Sequence, residues 1–593
     1  SRMLLDGDLA VKTAARATMY HRLGFTDQAL AEGYRAADLD PDGFMAHRFL
    51  SGSHATSPRH EIARVSELLQ AQLLQPVNVA PIRPSAGESE LFQLHSGLAM
   101  DPAHNEFTSL FSRDRLSLLL DAMMGERETT NGESVLSMVR GNFSLSAGYL
   151  QFSTDGFRQN NDQEEEIADI FGQWALSPAT SLQAEYRYRD GTRGDLSMLF
   201  NEWDFNEHER RDEQKQTYRL GLLHRQSAAS TFLFNLQHQE LESELSSPSE
   251  MFSLNSQTDA NGTGAEFQHI QLKSVYDLIS GIGLFHIDGS DTDRVAIVDW
   301  PLEPFTYPRD AEHLNLYLYG NFRLAETATL TTGASYDNYD NELAGSTDGN
   351  QLNPKLGISW SPFACTTVRG AIFRTWKRTL LTDQTLEKTH IVGFNQFYDD
   401  VDATDAWLHG VAVEQRFSSD LNLGLEFFER DLSVPYQDPY RMETARGDWE
   451  EETGRFHIDW TPNPHLALTF HHGREDHRHA TACAYNVKEL TTEITGGRAT
   501  FILSPYHLSL YLAADYYAQE GDFEISPGIF EPGSDTFPLV DIGLYWPLPK
   551  NKGMLSMGIK NVLNEEFQYF EIDDRNLSIQ PATSGYIRCS LLL

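Results

Sequence analysis

Four carboxylates, Asp399, Asp400, Asp402 and Asp405, fall within seven residues of one another. Oxygen donors at that density suit calcium, although the run lacks the glycine and closing glutamate of a recognised calcium loop. Just ahead of them, Phe394, Phe397 and Tyr398 offer aromatic faces of the kind on which sugar rings stack. His471, His472, His477 and His479, with Glu475 and Asp476 between them, carry transition-metal donor types, but a solvated polar segment is the commoner use of such a run. No nucleophile, base and orienting acid stand out together, so these residues suggest binding and not bond chemistry, and a non-enzyme is expected.

The elements that must position these side chains are alternating strands. In Ser181–Arg189, Leu182, Ala184, Tyr186 and Tyr188 alternate with Gln183, Glu185, Arg187 and Arg189. In His313–Tyr319, Leu314, Leu316 and Leu318 alternate with His313, Asn315, Tyr317 and Tyr319. Phe456, Ile458 and Trp460 oppose Arg455, His457 and Asp459, and Asp515 lies in a similar run from Tyr506 to Tyr516. A soluble sheet could hardly bury about twenty such apolar rows, whereas a closed membrane barrel presents every one of them to lipid. The polar positions Glu185, Arg187, Arg455, His457, Asp459 and Asp515 are therefore expected to face a wet lumen. Aromatics such as Tyr186, Tyr188, Trp407, Phe427, Phe428, Trp460 and Tyr516 read as belts at the membrane interfaces.

Short turns are expected near Gly141-Asn142, Ser177–Thr180, Ser227–Ser230, Asp277–Gly281, Asn321–Arg323, Ser361–Ala364, Phe417–Asp420, Thr461–Pro464, Ser504-Pro505 and Pro549–Lys552. With an opening strand at Arg113–Asp121 and a closing one at Ser584–Leu593, they give a transmembrane antiparallel β-barrel of about 22 strands. Long loops fall at the other strand ends: Glu240–Thr263, Gly289–Arg309, Trp376–Asp402, Arg430–Trp449, His472–Lys488, Glu520–Asp535 and Leu563–Ser584. Short turns toward the periplasm and long loops outward are the usual polarity of a bacterial outer-membrane barrel.

Ahead of the barrel, residues 7–37 read as helix, a break at Gly24-Phe25, and helix again, the second being Thr26–Leu39. Phe44–Leu50 and Glu61–Gln75 follow. Leu23-Gly24, Ala29, Ala36 and Pro41 resemble the small-residue and proline positions of a tetratricopeptide repeat, and Pro76 lies 35 residues beyond Pro41. The expected organisation is a small TPR-like α-helical domain over residues 1–76, a tether at 77–110 in or at the barrel lumen, and the barrel over 111–593. So wide a lumen must be filled, either by the tether, alone or with the helices, or by long loops folded inward with the helices free below. A short helix is expected at Glu90–Met100. The opening Ser1-Arg2-Met3 carries no signal peptide, and the repeats suggest numbering that starts partway into a longer precursor.

The net charge of -40, from 86 acidic against 46 basic residues, leaves no basic stripe for phosphates and excludes nucleic acid as a partner. Mean hydropathy is -0.43, and no apolar run reaches the length of a membrane helix. Cys365, Cys483 and Cys589 are too few and too far apart for a disulfide framework.

With its size, its strand count and the stretch Gly558-Ile559-Lys560-Asn561-Val562-Leu563-Asn564 near its end, the region from Phe107 to Leu593 resembles the barrel of a TonB-dependent receptor. Two departures stand out: the compact plug of that family has no room between Met100 and Arg113, and no TonB-box-like segment is evident. The whole resembles large bacterial outer-membrane proteins that join tetratricopeptide repeats to such a barrel. Gram-negative outer membrane is the implied location, with lipid and lipopolysaccharide around the barrel and the helices in the periplasm docking periplasmic proteins. The leading functional expectation is a conduit exporting a polymer such as a polysaccharide. The alternatives are TonB-type uptake of a chelate or glycan, and a structural anchor for an extracellular protein or filament. Calcium in the acidic outer loops is the one cofactor considered.

Overall fold

The computed structural model describes residues 9–77, 79, 83–87 and 114–593, except 202–204, 249–251, 298–299, 342–348, 381, 439–442, 480–486, 504–506, 527–528, 574–576, 578 and 580. Twenty-two antiparallel strands, from Arg115–Gly125 to Ser584–Leu592, form one closed sheet. Closure is direct: Leu119 stands opposite Leu592 and Gly125 opposite Tyr586. The alternation read from the sequence holds in the round. On Ala311–Ala325, Leu316 and Leu318 are exposed on the outside, while His313, Asn315, Tyr317 and Tyr319 are buried within. The expected aromatic belt needs one correction. Phe427 is exposed but its neighbour Phe428 is buried, because adjacent residues of a strand point to opposite faces.

One end of the barrel carries tight turns, as at Pro178-Ala179 and Ala228-Ala229. The turn expected at Asp277–Gly281 falls instead at Lys273–Val275, and that expected at Asn321–Arg323 falls at Glu326-Thr327. Both segments are paired strand, so the polar residues that suggested turns are lumen or rim positions. The turn at Ser504-Pro505 lies outside the described residues.

Five of the expected long loops are largely strand over their described residues. Along Glu240–Thr263, Gly289–Arg309, Arg430–Trp449, His472–Lys488 and Glu520–Asp535 the ladders continue well past the expected strand ends. Their polar residues on both faces resemble loop composition, but paired backbone needs no apolar face once it has left the hydrocarbon.

Four helices precede the barrel: α1 (Leu9–Leu23), α2 (Thr26–Leu39), α3 (Phe44–His54) and α4 (Glu61–Leu74). Gly24, at a φ of +88°, makes the break between the first two. They pack as two hairpins through small residues, with Ala14, Ala36, Ala37 and Ala46 around Tyr34 and Leu50. Among the described residues no helix is long and apolar enough to cross a membrane. The expected tether is described only at residues 77, 79 and 83–87, so the helix expected at Glu90–Met100 lies outside the described residues.

The helices do not hang free below the barrel, one of the two arrangements expected for them. They lie inside it. Residues Ile62–Leu74 of α4 are all buried, including Arg64, Ser66, Glu67, Gln70 and Gln72. A helix buried on its polar side as well needs polar walls, and a lumen lined by the polar halves of strands supplies them.

Candidate functional site

The lumen is the candidate site, filled from both ends. From the short-turn end, α4 meets the wall through backbone carbonyls near its C-terminus. Gln183 donates to the carbonyl of Gln72 at 2.6 Å, and Gln173 donates to that of Gln75 at 2.9 Å. Gly221 makes room for Leu73, since a Cβ there would stand 2.5 Å from the leucine side chain. Nearer the turns, Thr500 donates to the carbonyl of Leu23 and Ala467 joins the cluster around Ala17, Phe25 and Phe49.

From the other end, the loop between Trp376 and Asp405 turns inward. Beyond the short ladder of His390-Ile391 against Phe394-Asn395 its backbone is unpaired with strands, and the wall satisfies much of it: Glu266 accepts from the amide of Leu386 at 3.0 Å and from the hydroxyl of Thr385 at 2.7 Å. Arg369 donates to the carbonyl of Val392 at 2.9 Å, and Tyr319 donates to Glu387. The loop also grips the helices. The amide of Thr385 donates to Ser66, Lys388 pairs with Asp38, and Thr389 donates to Glu67.

The two fillings join at the α3–α4 corner. Asp399 accepts from the amides of Glu61 (2.8 Å) and Ile62 (3.1 Å), so a residue far along the chain caps α4. Arg59 donates to Glu451 at 2.9 Å and to Asp400 at 2.7 Å, while its amide donates to Asp573 at 2.7 Å. Arg430, only 2 % exposed, pairs with the same two carboxylates, Asp400 and Glu451. Buried charge in this arrangement holds only because each member is matched.

Around this corner lies a histidine cluster. His54 stacks on His60 at 5.3 Å, and His390 meets Tyr34 at 4.6 Å. Burial and the nearby cationic groups hold His54 and His390 well below the ordinary histidine range, and burial lowers His60 to about 4. His47 behaves oppositely. Burial works against its charge, but Glu67 at 2.6 Å outweighs that and raises its pKa.

A third anchor comes from the tether. Arg83 pairs with Asp121 at 2.9 Å and Glu133 at 2.7 Å, and Arg588 of the closing strand shares Asp121 at 2.7 Å. Arg187 reaches the carbonyl of Pro84 at 2.6 Å.

The residues singled out from the sequence fall as follows. Glu185 pairs with Arg219 at 2.6 Å and accepts from Gln72, which puts it against α4. Arg455 pairs with Glu475, His457 lies 3.8 Å from Asp27 of α2 and 3.7 Å from Asp459, and Asp515 meets His471 at 3.1 Å. The four aspartates do not form one cage. Asp399 caps α4, Asp400 pairs with arginines, Asp402 with Lys377, and Asp405 with Arg374. Among the described residues no group of three or more His, Cys, Asp or Glu is placed to hold a metal ion. Phe394, Phe397 and Tyr398 are buried, not offered to sugars: Phe394 fills the space beside Gly410, Phe397 lies under Arg378, and Tyr398 under Arg430 at 3.8 Å. An aromatic run without period reads as a loop, and nothing local shows that the loop turns inward. Arg59, Arg83, Glu266, Arg430 and Glu451 carry no signal in the sequence, because ordinary charged residues at single positions form no pattern.

Between α2, the inward loop and the wall lies a cavity of about 60 Å³ lined by Asp27, Tyr34, Arg369, Glu426, Arg455 and His457.

No protein-family model matches the chain. No curated protein matches it either. Solved structures do. The ferripyoverdine receptor of the outer membrane of Pseudomonas aeruginosa is 11% identical, with a TM-score of 0.62 over 81% of this chain and 72% of that one. The ferric yersiniabactin uptake receptor from Yersinia pestis is 12% identical, with a TM-score of 0.62 over 81% and 80%. An iron transporter from Neisseria meningitidis is 10% identical, with a TM-score of 0.61 over 81% and 82%. These likenesses overturn the polymer-export reading: the similar structures are receptors and transporters for ferric chelates and iron, not export conduits. The chain is a 22-strand antiparallel barrel that resembles those of TonB-dependent receptors, in keeping with a Gram-negative outer membrane.

Proposed function

We propose that the chain is a non-enzymatic uptake receptor that admits a bulky metal chelate by moving its lumenal helices. One observation carries this reading: the lumen holds a separate helical unit fixed through side-chain pairs, not by the barrel's own ladder. Polar and ionic contacts can be exchanged for water as the unit moves, which suits a gate that opens and closes again. The uptake receptors to which the barrel is similar supply the substrate class, a ferric chelate or a related metal complex.

The TPR-like spacing of the helices has a place in this reading. The open face of α1 at the short-turn end carries Leu9, Lys12, Ala15, Met19 and Arg22, a mixed apolar and basic surface on which a periplasmic protein would pull. The test is accumulation of radiolabelled ferric chelates by cells with and without the chain, before and after the proton-motive force is collapsed. Energy-dependent accumulation of at least one chelate supports uptake. Equal accumulation in both strains across hydroxamate, catecholate and carboxylate chelates refutes it.

A further inference from the structure

On one side of the barrel several strands climb well past the lipid belt. Along Tyr276–Ile297 the outward apolar row ends at Leu284, and His286 and Asp288 follow it. The nine residues beyond Asp288 carry the sheet roughly 30 Å farther at about 3.3 Å each. Ser230–Pro248 and Phe252–Leu272 rise with it, and the segments Trp300–Pro301 and Phe305–Pro308 return along its edge.

This projecting wing is two-faced. Directly paired residues share a face, and Leu254 stands opposite Val295, Trp300 opposite Ile297, Phe305 opposite Asp293 and Tyr307 opposite Asp291. Lower on the same strand, the residues of that parity are Phe285 and Ile287, buried in the lumen wall. The face is thus the upward continuation of the lumen lining. It is open: Ile297 is 49% exposed, Trp300 74%, Leu302 38%, Phe305 49% and Tyr307 48%. The other face shows exposed Glu240, Glu242, Glu244, Asp259 and Asp288.

The edge of the wing is poorly suited to pairing with another strand. The amides of Leu302 and Arg309 donate inward to Val295 and Gly289 at 2.8 and 2.9 Å. Alternation then puts Pro301 and Pro308 where an amide would face outward, and proline has none to give. Whatever covers this surface meets its face and not its edge.

We infer that the inner face of the wing docks an extracellular protein whose contact surface is an apolar patch with a basic rim. Aliphatic residues (Val295, Ile297, Leu302) alongside aromatics match protein side chains better than sugar rings, and contiguous exposed apolar surface on a folded protein marks a contact site. The carboxylates of Asp293 and Glu303 beside it, with the acidic outer face behind, set a negative field that selects lysine and arginine around the partner's patch. A protein seated there would stand over the barrel mouth. Such docking requires no particular cargo.

The test places a photo-crosslinking benzoylphenylalanine at Trp300 or Tyr307 on the inner face, and at Thr292 or Thr306 on the outer face, in cells that carry the full chain. The expected result is one discrete protein adduct from the inner positions, about tenfold above the outer ones. The crosslink should map to an apolar segment flanked by lysine or arginine, and F305S should remove the adduct from Trp300 while leaving the barrel's heat-shifted gel migration unchanged. Adducts to lipopolysaccharide or glycan alone, equal yields from both faces, or no adduct at properly assembled barrels would each overturn the inference.

Discussion

The helix α4 and the loop between Trp376 and Asp405 meet inside the lumen after entering from opposite ends, and they are held in different ways. The helix brings its own hydrogen-bonded backbone, so only its side chains and last carbonyls need partners, as at Gln183 and Gln173. The loop has almost no ladder, and wall side chains must satisfy its amides and carbonyls, as Glu266 and Arg369 do. Buried irregular backbone therefore depends on a few wall residues, whereas a buried helix depends on fit. Where the two segments meet, each completes the other: Asp399 of the loop caps the helix, and Arg59 beside the helix neutralises Asp400 of the loop.

Breaking that meeting point should have the largest effect. Glu451→Ala leaves Arg59 and Arg430 with one carboxylate between them in a buried site, at a cost of about 3–5 kcal/mol. Single-channel recordings should show long open events in the variant and none in the parent. Glu266→Ala should act on the loop alone, costing roughly 1–3 kcal/mol for each donor left bare. Proteolysis would then cut within residues 382–398 before it reaches α4; cutting of α4 first would show that the loop does not depend on this residue. Gly221→Ala tests fit on the helix side. Its Cβ would crowd Leu73, and about 2 kcal/mol of overpacking should lower the denaturant midpoint of the lumenal helices. Asp399→Ala removes the cap, worth about 1 kcal/mol, and hydrogen exchange should rise at Glu61 and Ile62 while the centre of α4 stays protected.

The smallest change is one of pH. His54, His60 and His390 titrate below their unfolded range, so the released segments bind more protons than the docked ones as pH falls from about 6.5 toward 4. Docking should weaken through that window. His47, with its raised pKa, opposes the trend: its contribution is complete below about 6.5 and fades as pH climbs through its folded value. Conductance traces at pH 7.5 and 5 should show more frequent opening at the lower pH, and a His60→Gln variant should flatten the difference.

Much of the fold was legible because the bilayer enforces a simple rule on strands. Leu314, Leu316 and Leu318 could be assigned to lipid, and His313 and Tyr317 to the interior, from alternation alone. The break at Gly24 and the small-residue packing of the helices were legible for similar local reasons. The site was much less so. The aromatics of residues 394–398 are buried, which the sequence does not reveal, since a loop has no period to betray which way it turns. The four aspartates are close in sequence and so suggest one site, yet each is committed to a different partner.

By itself the sequence determined a closed ribbon of alternating strands with a helical segment ahead of it, because side-chain period and turn chemistry are local properties. Only the tertiary structure decided that the helices and the loop fill the barrel. A polar helix face looks the same whether water or a polar wall will satisfy it, and the choice rests on pairs such as Arg59–Glu451 and Gln72–Gln183, whose members lie more than a hundred residues apart.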